Sequence, residues 1–463
     1  MGVVSDTDLT AVLRSATSDA LPRAIDDLRT LVAIPSISAD AFDPRDVLRS
    51  AEAVRDLAEE TGVFDEVGIH TATIPETGRQ GHPAVLAVRR AAPGKPHLLL
   101  YAHHDVQPMG DEKLWTSPPL EATERDGRLF GRGTGDDKGG VMTHLAALRV
   151  LRTVLGDDLG VGVTLFVEGE EESGSRSFGQ FLTDHHDNLA ADLIIVTDAV
   201  NWDTRTPGVT VSLRGTTRFT LTVRTLDHGL HSGMFGGAVP DAMLAAITLL
   251  GTLWDHDGSV AVSGLERREA DTPEYSEQRL REESELPAST ATIGRGKLLD
   301  RLWNQPSITV TGIDAPSVAE ASNTLSPEVT VVLSARVSPS QDPRRAYEAI
   351  RDHLLAHAPF GARLEFSDVD YGAGFLGTDN WAAADARSAL AEAYGVPPVD
   401  LGVGGSIPFI ADLATQFPDA AVVVTAVMDP QGSPHSPNES LDLATFEKAI
   451  LAEALLLVRL ARR

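Results

Sequence analysis

The apolar run Leu98–Ala102, which ends abruptly at His103-His104-Asp105, constrains the fold of this chain more than any other stretch. Such a run predicts a buried β-strand with a polar C-terminal end, the place where ligands gather in α/β sheets. Side chains alternate along a strand, so His103 and Asp105 point to one face and His104 to the other. This pairing is typical of a metal ligand and the carboxylate that orients it. A surface histidine followed by a turn aspartate produces the same pattern, so the stretch alone does not decide.

The composition limits what such a site can contain and bind. The 463 residues include no cysteine, which excludes disulfides, thiolate metal ligands and thiol nucleophiles. Any metal must therefore be held by histidine and carboxylates, which suits zinc, manganese or cobalt. The formal charge of −28 opposes binding to nucleic acid or to anionic membranes, because both need clustered lysine and arginine.

No targeting or membrane signal is evident in the sequence. The chain has no run of eighteen apolar residues, and its first residues lack the basic and apolar segments of a secretory signal. Asp6 stands where a myristoylation motif needs serine or threonine. We therefore expect a cytoplasmic protein without a membrane partner.

Two further apolar runs also end in acidic residues. Val161–Val167 leads into Glu168-Gly169-Glu170-Glu171-Glu172, and Leu193–Thr197 leads into Asp198. Because the carboxyl ends of parallel strands meet at one edge of a sheet, these acids are candidate ligands or bases. The alternative for a charge run is a solvated face. We expect Glu168 and Glu170 to be supporting or solvated residues.

A glycine-rich segment, residues 131–140, precedes a helix predicted over 141–155. Its glycine and lysine spacings match neither a Walker A loop nor a GxGxxG motif. Asp136 and Asp137 are in a position to cap the helix, which aspartate does well. Two adjacent acids are not both needed as caps, so at least one is available for another role.

The order of the predicted elements indicates an α/β fold with an insertion. Residues 1–208 and 372–463 are predicted to form a mixed-sheet, three-layer domain. In residues 209–371, apolar and polar residues alternate along Val209–Val223, as in a half-exposed antiparallel strand. The β, α, β, β, α, β order that follows predicts an inserted α+β domain of ferredoxin-like type.

Four motifs together resemble those of the M20 metallopeptidases, and most closely the carnosinase-like, cytosolic nonspecific dipeptidases. They are His103-His104-Asp105, the segment Gly131–Gly139, the segment Glu168–Ser175 and the segment Pro434–Glu439. The resemblance covers nearly the whole chain, with the motifs in the family's order and spacing. It implies that the larger domain is catalytic and that the insert serves as a lid and dimerisation domain.

The resemblance also implies a site for two divalent metal ions, zinc foremost, with manganese or cobalt as alternatives. Asp136 would bridge the ions. His103 and Asp198 would complete one coordination sphere, and Glu172 and His435 the other. The family further implies a cis peptide bond after the bridging aspartate, here Asp136–Asp137.

Three catalytic roles follow from the same resemblance. Glu171 would be the general base, taking a proton from water and delivering it to the leaving amine. Asp105 would orient His103, leaving His104 as a structural residue. His231, in a His-Ser-Gly motif of the lid, would stabilise the oxyanion, often from the partner subunit in this family. Without the family, an ordinary polar loop residue is the alternative for His231.

The substrate's free carboxylate would be bound by Arg336, Asn323 and the Gly-Gly-Ser loop containing Gly405 and Ser406. An arginine suits this task because its fork offers two parallel donors. The stretch Asn323–Pro327 is one residue longer than in relatives, where Ile-Pro tends to follow the asparagine directly.

The predicted activity is hydrolysis of dipeptides, or of short peptides with a free C-terminus. The segment His231–Gly237 resembles the dipeptidase branch, and Asp198 stands where deacylases of the family tend to carry glutamate. An N-acyl amino acid deacylase on the same fold is the main alternative, and a binding protein without catalysis is another. The expected partners are a dipeptide or small amide and a second copy of the chain.

Overall fold

The computed structural model describes residues 6–157, 159–377, 380–405 and 408–462. These residues fall into two compact units. The first comprises the described residues of 1–211, 377–401 and 412–463, and the second those of 212–376 and 402–411. Within the described ranges, no helix combines the length and apolar character needed to cross a membrane.

The strands are, in chain order, β1 Glu66–His70, β2 Ala84–Arg89, β3 His97–His103, β4 Thr123–Arg125, β5 Arg128–Phe130, β6 Gly162–Glu168, β7 Leu193–Val196, β8 Gly208–Leu213, β9 Gly215–Arg224, β10 Leu230–His231, β11 Ser307–Asp314, β12 Thr324–Leu325, β13 Glu328–Val337, β14 Arg363–Gly372, β15 Phe375–Leu376, β16 Val399–Val403, β17 Ala421–Val424 and β18 Ser440–Asp442.

The α-helices are, in chain order, α1 Asp6–Val32, α2 Pro44–Glu60, α3 Lys138–Leu155, α4 Phe178–Asp184, α5 His186–Leu189, α6 Ser232–Phe235, α7 Ala242–Leu250, α8 Glu277–Ser284, α9 Leu298–Trp303, α10 Pro343–Ala356, α11 Trp381–Tyr394, α12 Pro408–Gln416 and α13 Leu443–Ala461.

The first unit is built on a mixed sheet with the order β1-β2-β6-β3-β7-β17-β8. The central strands β6, β3, β7 and β17 are parallel to one another, whereas β2 and β8 pair antiparallel with β6 and β17, and β1 pairs antiparallel with β2. Strand β3 is buried along nearly its whole length because parallel neighbours lie on both sides and helices cover both faces. The predicted α/β fold with a mixed sheet is confirmed.

The two faces of β3 pack against different layers, as strand alternation requires. Leu98 and Leu100 join the large apolar core formed with α1, α3 and α13. On the opposite face, the ring of Tyr101 contacts Phe166 of β6, which in turn stacks on Phe181 of α4 with ring centroids 4.8 Å apart. The sheet is therefore the middle of three layers.

The second unit contains a four-stranded antiparallel sheet with the order β11-β13-β9-β14. Its main elements follow one another as β9, α7, β11, β13, α10 and β14, which is the predicted β, α, β, β, α, β order. Alternate residues of β13, from Val329 to Val337, are buried against Phe219 of β9 and against α7 and α10. The alternating pattern of the sequence thus marks one covered face of this sheet.

The described residues of 402–411 pack with the second unit, although from the sequence they are predicted to belong to the larger domain with 372–463. Arg214, which lies between β8 and β9, binds the start of this segment. Its backbone N–H donates to the Val403 carbonyl at 3.2 Å, and its Nε donates to the Gly404 carbonyl at 3.0 Å. The same guanidinium donates to Ser307 at the start of β11. Local sequence gives no indication of this long-range attachment.

Candidate metal centre

Three neighbouring parallel strands of the first unit bring functional groups to one edge of the sheet. His103 ends β3 and lies directly beside Glu168, which ends β6. Asp198 follows β7, the neighbour of β3 on its other side. The apolar runs that ended in charged residues are thus adjacent strands, and their polar ends share one region.

Two groups of possible metal ligands share one carboxylate. The donor atoms of His103, Asp136 and Asp198 lie within 4.8 Å of one another, as do those of Asp136, Glu172 and His435. Asp136 Oδ1 is 3.1 Å from His103 Nε2, and Asp136 Oδ2 is 3.0 Å from His435 Nε2. Asp136 therefore directs one oxygen to each group. Imidazole and carboxylate donors of this kind fit zinc, manganese or cobalt.

Asp136 is presented by the glycine-rich segment between β5 and α3, and its peptide bond to Asp137 is cis. Asp137 occupies the N-cap position of α3, but its side chain makes no capping hydrogen bond. Its Oδ2 instead accepts from the backbone N–H of His103 at 3.2 Å. The alternative that this acid pair caps the helix is therefore wrong.

Asp105 connects the end of β3 to the turn that carries Glu171 and Glu172. Its Oδ1 lies 3.3 Å from His103 Nδ1, which leaves His103 Nε2 directed at Asp136. Its two oxygens also accept the backbone N–H groups of Glu171 and Glu172, at 3.2 and 3.0 Å. This geometry fixes the histidine ring and the acidic turn together.

Glu171 and Glu172 diverge from their shared turn. Glu172 Oε2 lies 3.2 Å from His435 Nε2 and accepts from Gln107 Nε2 at 2.6 Å. Glu171 Oε2 lies 4.0 Å from His103 Nε2, and its side chain is 20 % exposed. Glu171 thus lies beside the ligand groups without belonging to either of them.

The crowded carboxylates change one another's protonation. Burial and repulsion from Asp136 raise the pKa of Asp198 to about 7. Burial also raises the pKa of Glu171 well above its usual value, and the Asp198 charge adds to the effect. Hydrogen bonds to Asp136 and Glu172 raise the pKa of His435 to about 10. Positive charge is therefore strongly favoured among these groups, whether it comes from protons or from metal ions.

His104 and the neighbouring glutamates have structural roles. Burial lowers the pKa of His104 to about 4, and its Nε2 lies 2.9 Å from the Pro83 carbonyl. Glu168 is buried and accepts from the Tyr101 hydroxyl at 2.6 Å. Glu170 is buried and accepts from the backbone of His82 at 3.0 Å. The alternative of a solvated acidic face is therefore wrong for this stretch.

The remaining predicted site residues belong to the second unit. His231 is exposed at the end of β10, where its Nδ1 accepts from the Gly233 N–H at 3.1 Å. Thr324 of β12 is paired with His231, and the carbonyl of the preceding residue, Asn323, accepts from the N–H of Ser232 at 2.9 Å.

Arg336 and Gly405 also lie in the second unit. Arg336 is half-buried on β13. Burial and the nearby charge of Arg336 lower the pKa of Arg214, the residue that binds the loop before Gly405, to about 10. Ser406 lies outside the described residues.

Several residues that support the site are not evident from the sequence. Ser38 Oγ donates to Asp105 Oδ2 at 2.6 Å. Lys138 is buried, and its Nζ donates to the carbonyls of Leu31 and Ile34, both at 2.8 Å. The sequence carries no local signal for these contacts, because each partner lies on a segment distant in the chain.

A family model described as "Peptidase family M20/M25/M40" matches residues 99–459. The chain belongs to this peptidase family. The match extends from within β3 to the last turn of α13 and therefore includes every candidate metal ligand. The resemblance inferred from the four motifs is confirmed.

Known relatives of this M20 peptidase come from several organisms. The cysteinylglycine-S-conjugate dipeptidase of Corynebacterium striatum is 32 % identical over 402 residues, covering 85 % of this chain and 87 % of the relative. The Beta-Ala-His dipeptidase of Rattus norvegicus is 29 % identical over 445 residues, covering 90 % and 89 %. The solved structure of the dipeptidase Dug1p from Saccharomyces cerevisiae has the same fold, with a TM-score of 0.81 at 23 % identity over 98 % of this chain and 99 % of that one.

Metal binding at this site should release protons and become tighter as the pH rises. In the metal-free protein, the neighbouring carboxylates raise the pKa of His435 to about 10, so this histidine is protonated at neutral pH. Asp198, whose pKa is about 7, is partly protonated at the same pH. A ligand must lose its proton to bind metal, so affinity should increase from pH 6 to pH 8 and beyond. Calorimetric titration with Mn²⁺ in two buffers of different ionisation enthalpy measures the protons released.

Two histidine variants extend this titration, one at a candidate ligand and one as a matched control. His435→Gln should release fewer protons than the parent protein. His256→Gln removes an exposed histidine of the second unit and should release the same number. Equal heats in both buffers at every pH would contradict the prediction.

Proposed function

We propose that this M20 peptidase hydrolyses the peptide bond of dipeptides, or of short peptides with a free C-terminal carboxylate, at a site for two divalent cations. The observation that carries the proposal is the pair of ligand groups joined by Asp136, with Glu171 beside them. A shared carboxylate with an adjacent, uncommitted acid is the arrangement that metal-assisted hydrolysis requires.

His103 and Asp198 would hold one ion, Glu172 and His435 the other, and Asp136 would bridge them. When bound, two divalent cations polarise the scissile carbonyl and acidify a water molecule. Zinc is the ion we favour, with manganese and cobalt as alternatives that the same donors accept.

Glu171 would act as the general base. Its carboxylate lies near the ligand groups, is partly exposed, and has a pKa raised by burial and by Asp198, which favours accepting a proton from water. Asp105 would act through its neighbours, because it orients His103 and holds the backbone of the acidic turn. The base would take the proton of the attacking water and deliver it to the leaving amine.

Residues of the second unit would bind the substrate. Arg336 would bind the free carboxylate, and the neighbouring charge of Arg214 would add to the positive potential there. Asn323 and the loop with Gly405 and Ser406 would supply further donors. His231, next to Asn323, would stabilise the oxyanion.

Dipeptides are favoured over N-acyl amino acids for two reasons. The curated relatives described above are named as dipeptidases acting on cysteinylglycine conjugates and on Beta-Ala-His. In addition, Asp198 occupies the ligand position where deacylases of the family tend to have glutamate.

A substrate panel tests this choice, using metal-stripped protein reconstituted separately with zinc, manganese and cobalt. We expect Cys-Gly, β-Ala-His and Ala-Gly to be cleaved. We expect Ala-Gly amide to lose on the order of 100-fold or more in kcat/KM, because the binding guanidinium would be left without its carboxylate. Higher kcat/KM for N-acetyl or N-succinyl amino acids would instead identify a deacylase. Binding of peptides without any cleavage would identify a binding protein.

Glu171→Gln tests the base directly. The substitution keeps the size of the side chain but removes its ability to accept a proton, so kcat should fall by about 10²–10⁴-fold. Metal content, measured by elemental analysis, should stay at the parent level because Glu171 is outside both ligand groups. Glu170→Gln is the matched control: its side chain accepts from the backbone of His82 and Ser177, and kcat should change little. Unchanged kcat in Glu171→Gln would place the base elsewhere.

We also propose that two copies of the chain associate through the second unit. Helix α7 buries Ala242, Ala245 and Leu249 against its own sheet, yet Leu244 and Ile247 on its other side are 50 % and 63 % exposed. A helix that is apolar on both sides is typically covered on both. A second copy of α7 would cover the exposed side.

Ile247→Glu should convert the dimer into a monomer, because the new charge would have to be buried in the interface. Sedimentation velocity of the parent and the variant measures the change. Leu48→Glu, at an exposed leucine of α2 in the first unit, is the control and should remain dimeric. A parent protein that sediments as a monomer, or a variant that remains a dimer, would contradict an interface at α7.

A further inference from the structure

A buried ion pair joins the segment that carries Asp136 to the segment that carries His435. Arg132 Nη1 lies 2.6 Å from Glu439 Oε2, and the two side chains are only 2 % and 1 % exposed. Arg132 belongs to the glycine-rich segment before α3, and Glu439 lies four residues after His435. The pair thus links two segments that each supply a candidate metal ligand.

The second oxygen of Glu439 organises the backbone around Asp136. Glu439 Oε1 accepts the N–H groups of Gly133, Gly135 and Asp136, at 3.0, 3.1 and 3.1 Å. The backbone carbonyl of Glu439 also accepts from the N–H of Gly131 at 3.0 Å. One side chain therefore defines the path of the loop up to the residue shared by both ligand groups.

Arg132 extends the same network toward the end of β3. Its Nη2 donates to the carbonyl of Pro108 at 3.2 Å, and its guanidinium lies 5.4 Å from the ring centre of Trp115. A buried charge is tolerated only when it is paired and hydrogen-bonded, and Arg132 and Glu439 satisfy this requirement for each other.

His435 needs such an anchor because its own side chain is not enclosed. Its side chain is 56 % exposed, whereas that of Asp136 is 10 % exposed. Packing does not enclose the imidazole, so its position depends on the carboxylates of Asp136 and Glu172 and on the backbone of residues 434–439. Asn438 also fixes this backbone, since its side chain bonds to the main chain of Thr116 and Leu114.

We propose that Glu439 is a positioning residue that keeps the carboxylate of Asp136 within hydrogen-bonding distance of the His435 imidazole, with Arg132 as its counterion. The inference rests on the proposed two-cation site. Glu439 touches neither substrate nor the reacting atoms in this role. It acts through the backbone of the Asp136 loop and through the short segment that leads back to His435.

Glu439→Gln tests the proposal by metal affinity rather than by activity alone. The amide cannot accept from both the loop and Arg132 with the strength of a carboxylate, so the Asp136 carboxylate and the His435 imidazole should no longer be held at the distance that a shared metal ion needs. We expect the affinity for one of the two Mn²⁺ ions to fall by about 10–100-fold in calorimetric titration. Turnover of Ala-Gly at low Mn²⁺ should fall with it, and saturating Mn²⁺ should restore most of the loss.

Asp429→Asn is the matched control. Asp429 is equally buried and lies 2.8 Å from Arg128 Nη2, and this pair also joins the strand before the loop to the segment that leads to His435. Its side chain accepts from Gln431 and Arg128, and no N–H of residues 131–136 donates to it among the hydrogen bonds described. Asp429→Asn should lower the melting temperature but leave both Mn²⁺ affinities unchanged. A purely structural Glu439 would behave in the same way as Asp429.

Arg132→Lys keeps the test decisive if Glu439→Gln fails to fold. Lysine retains the charge beside Glu439 but loses the fork that also reaches Pro108, so a smaller loss of Mn²⁺ affinity is expected. Unchanged Mn²⁺ affinity in the folded variants would overturn the positioning role. A parent protein that binds no Mn²⁺ would instead overturn the two-cation site, so the two failures are distinguishable.

Discussion

The carboxylates of Asp105, Asp136, Asp198 and Glu171 are buried or partly buried close together, and the rest of the site offsets their mutual repulsion. Burying like charges raises the pKa of some of them, as for Asp198 and Glu171, and attracts protons to the histidines between them. A protein retains such an arrangement only when the charges are balanced by hydrogen bonds, counterions or metal ions. The contacts around these carboxylates in the first unit provide this balance.

The carboxylates divide into two kinds by the donors that they face. Asp105 and Glu439 are surrounded by backbone N–H groups and by a hydroxyl or a guanidinium, so their oxygens are committed to holding segments together. Asp136 directs its oxygens instead toward two imidazoles, and Asp198 lies in the same ligand group. Asp105 and Glu439 therefore hold the backbone in place, whereas Asp136 and Asp198 have oxygens available to a cation.

Several buried acids bond to segments other than their own, so their roles cannot be deduced from the local sequence. Asp137 occupies a helix N-cap position but bonds to the backbone of His103 instead of its own helix. Glu168 and Glu170 look like a solvated charge run in the sequence, yet both are buried, since Glu168 ends the central strand β6 and Glu170 comes directly after it. In each case the neighbouring strand or segment, rather than the residue's own element, determines the role.

The sequence by itself determined the parallel strands of the first unit, the α/β class and the family. Apolar runs that end in His103, Glu168 and Asp198 are local patterns, and strand alternation placed His103 and Asp105 on one face. The tertiary structure alone decided the partners of buried charges: Arg132 and Glu439 are separated by 307 positions in the chain, and Arg214 binds the distant carbonyls of Val403 and Gly404. No local periodicity encodes such pairs, because they depend on which distant segments fold against each other.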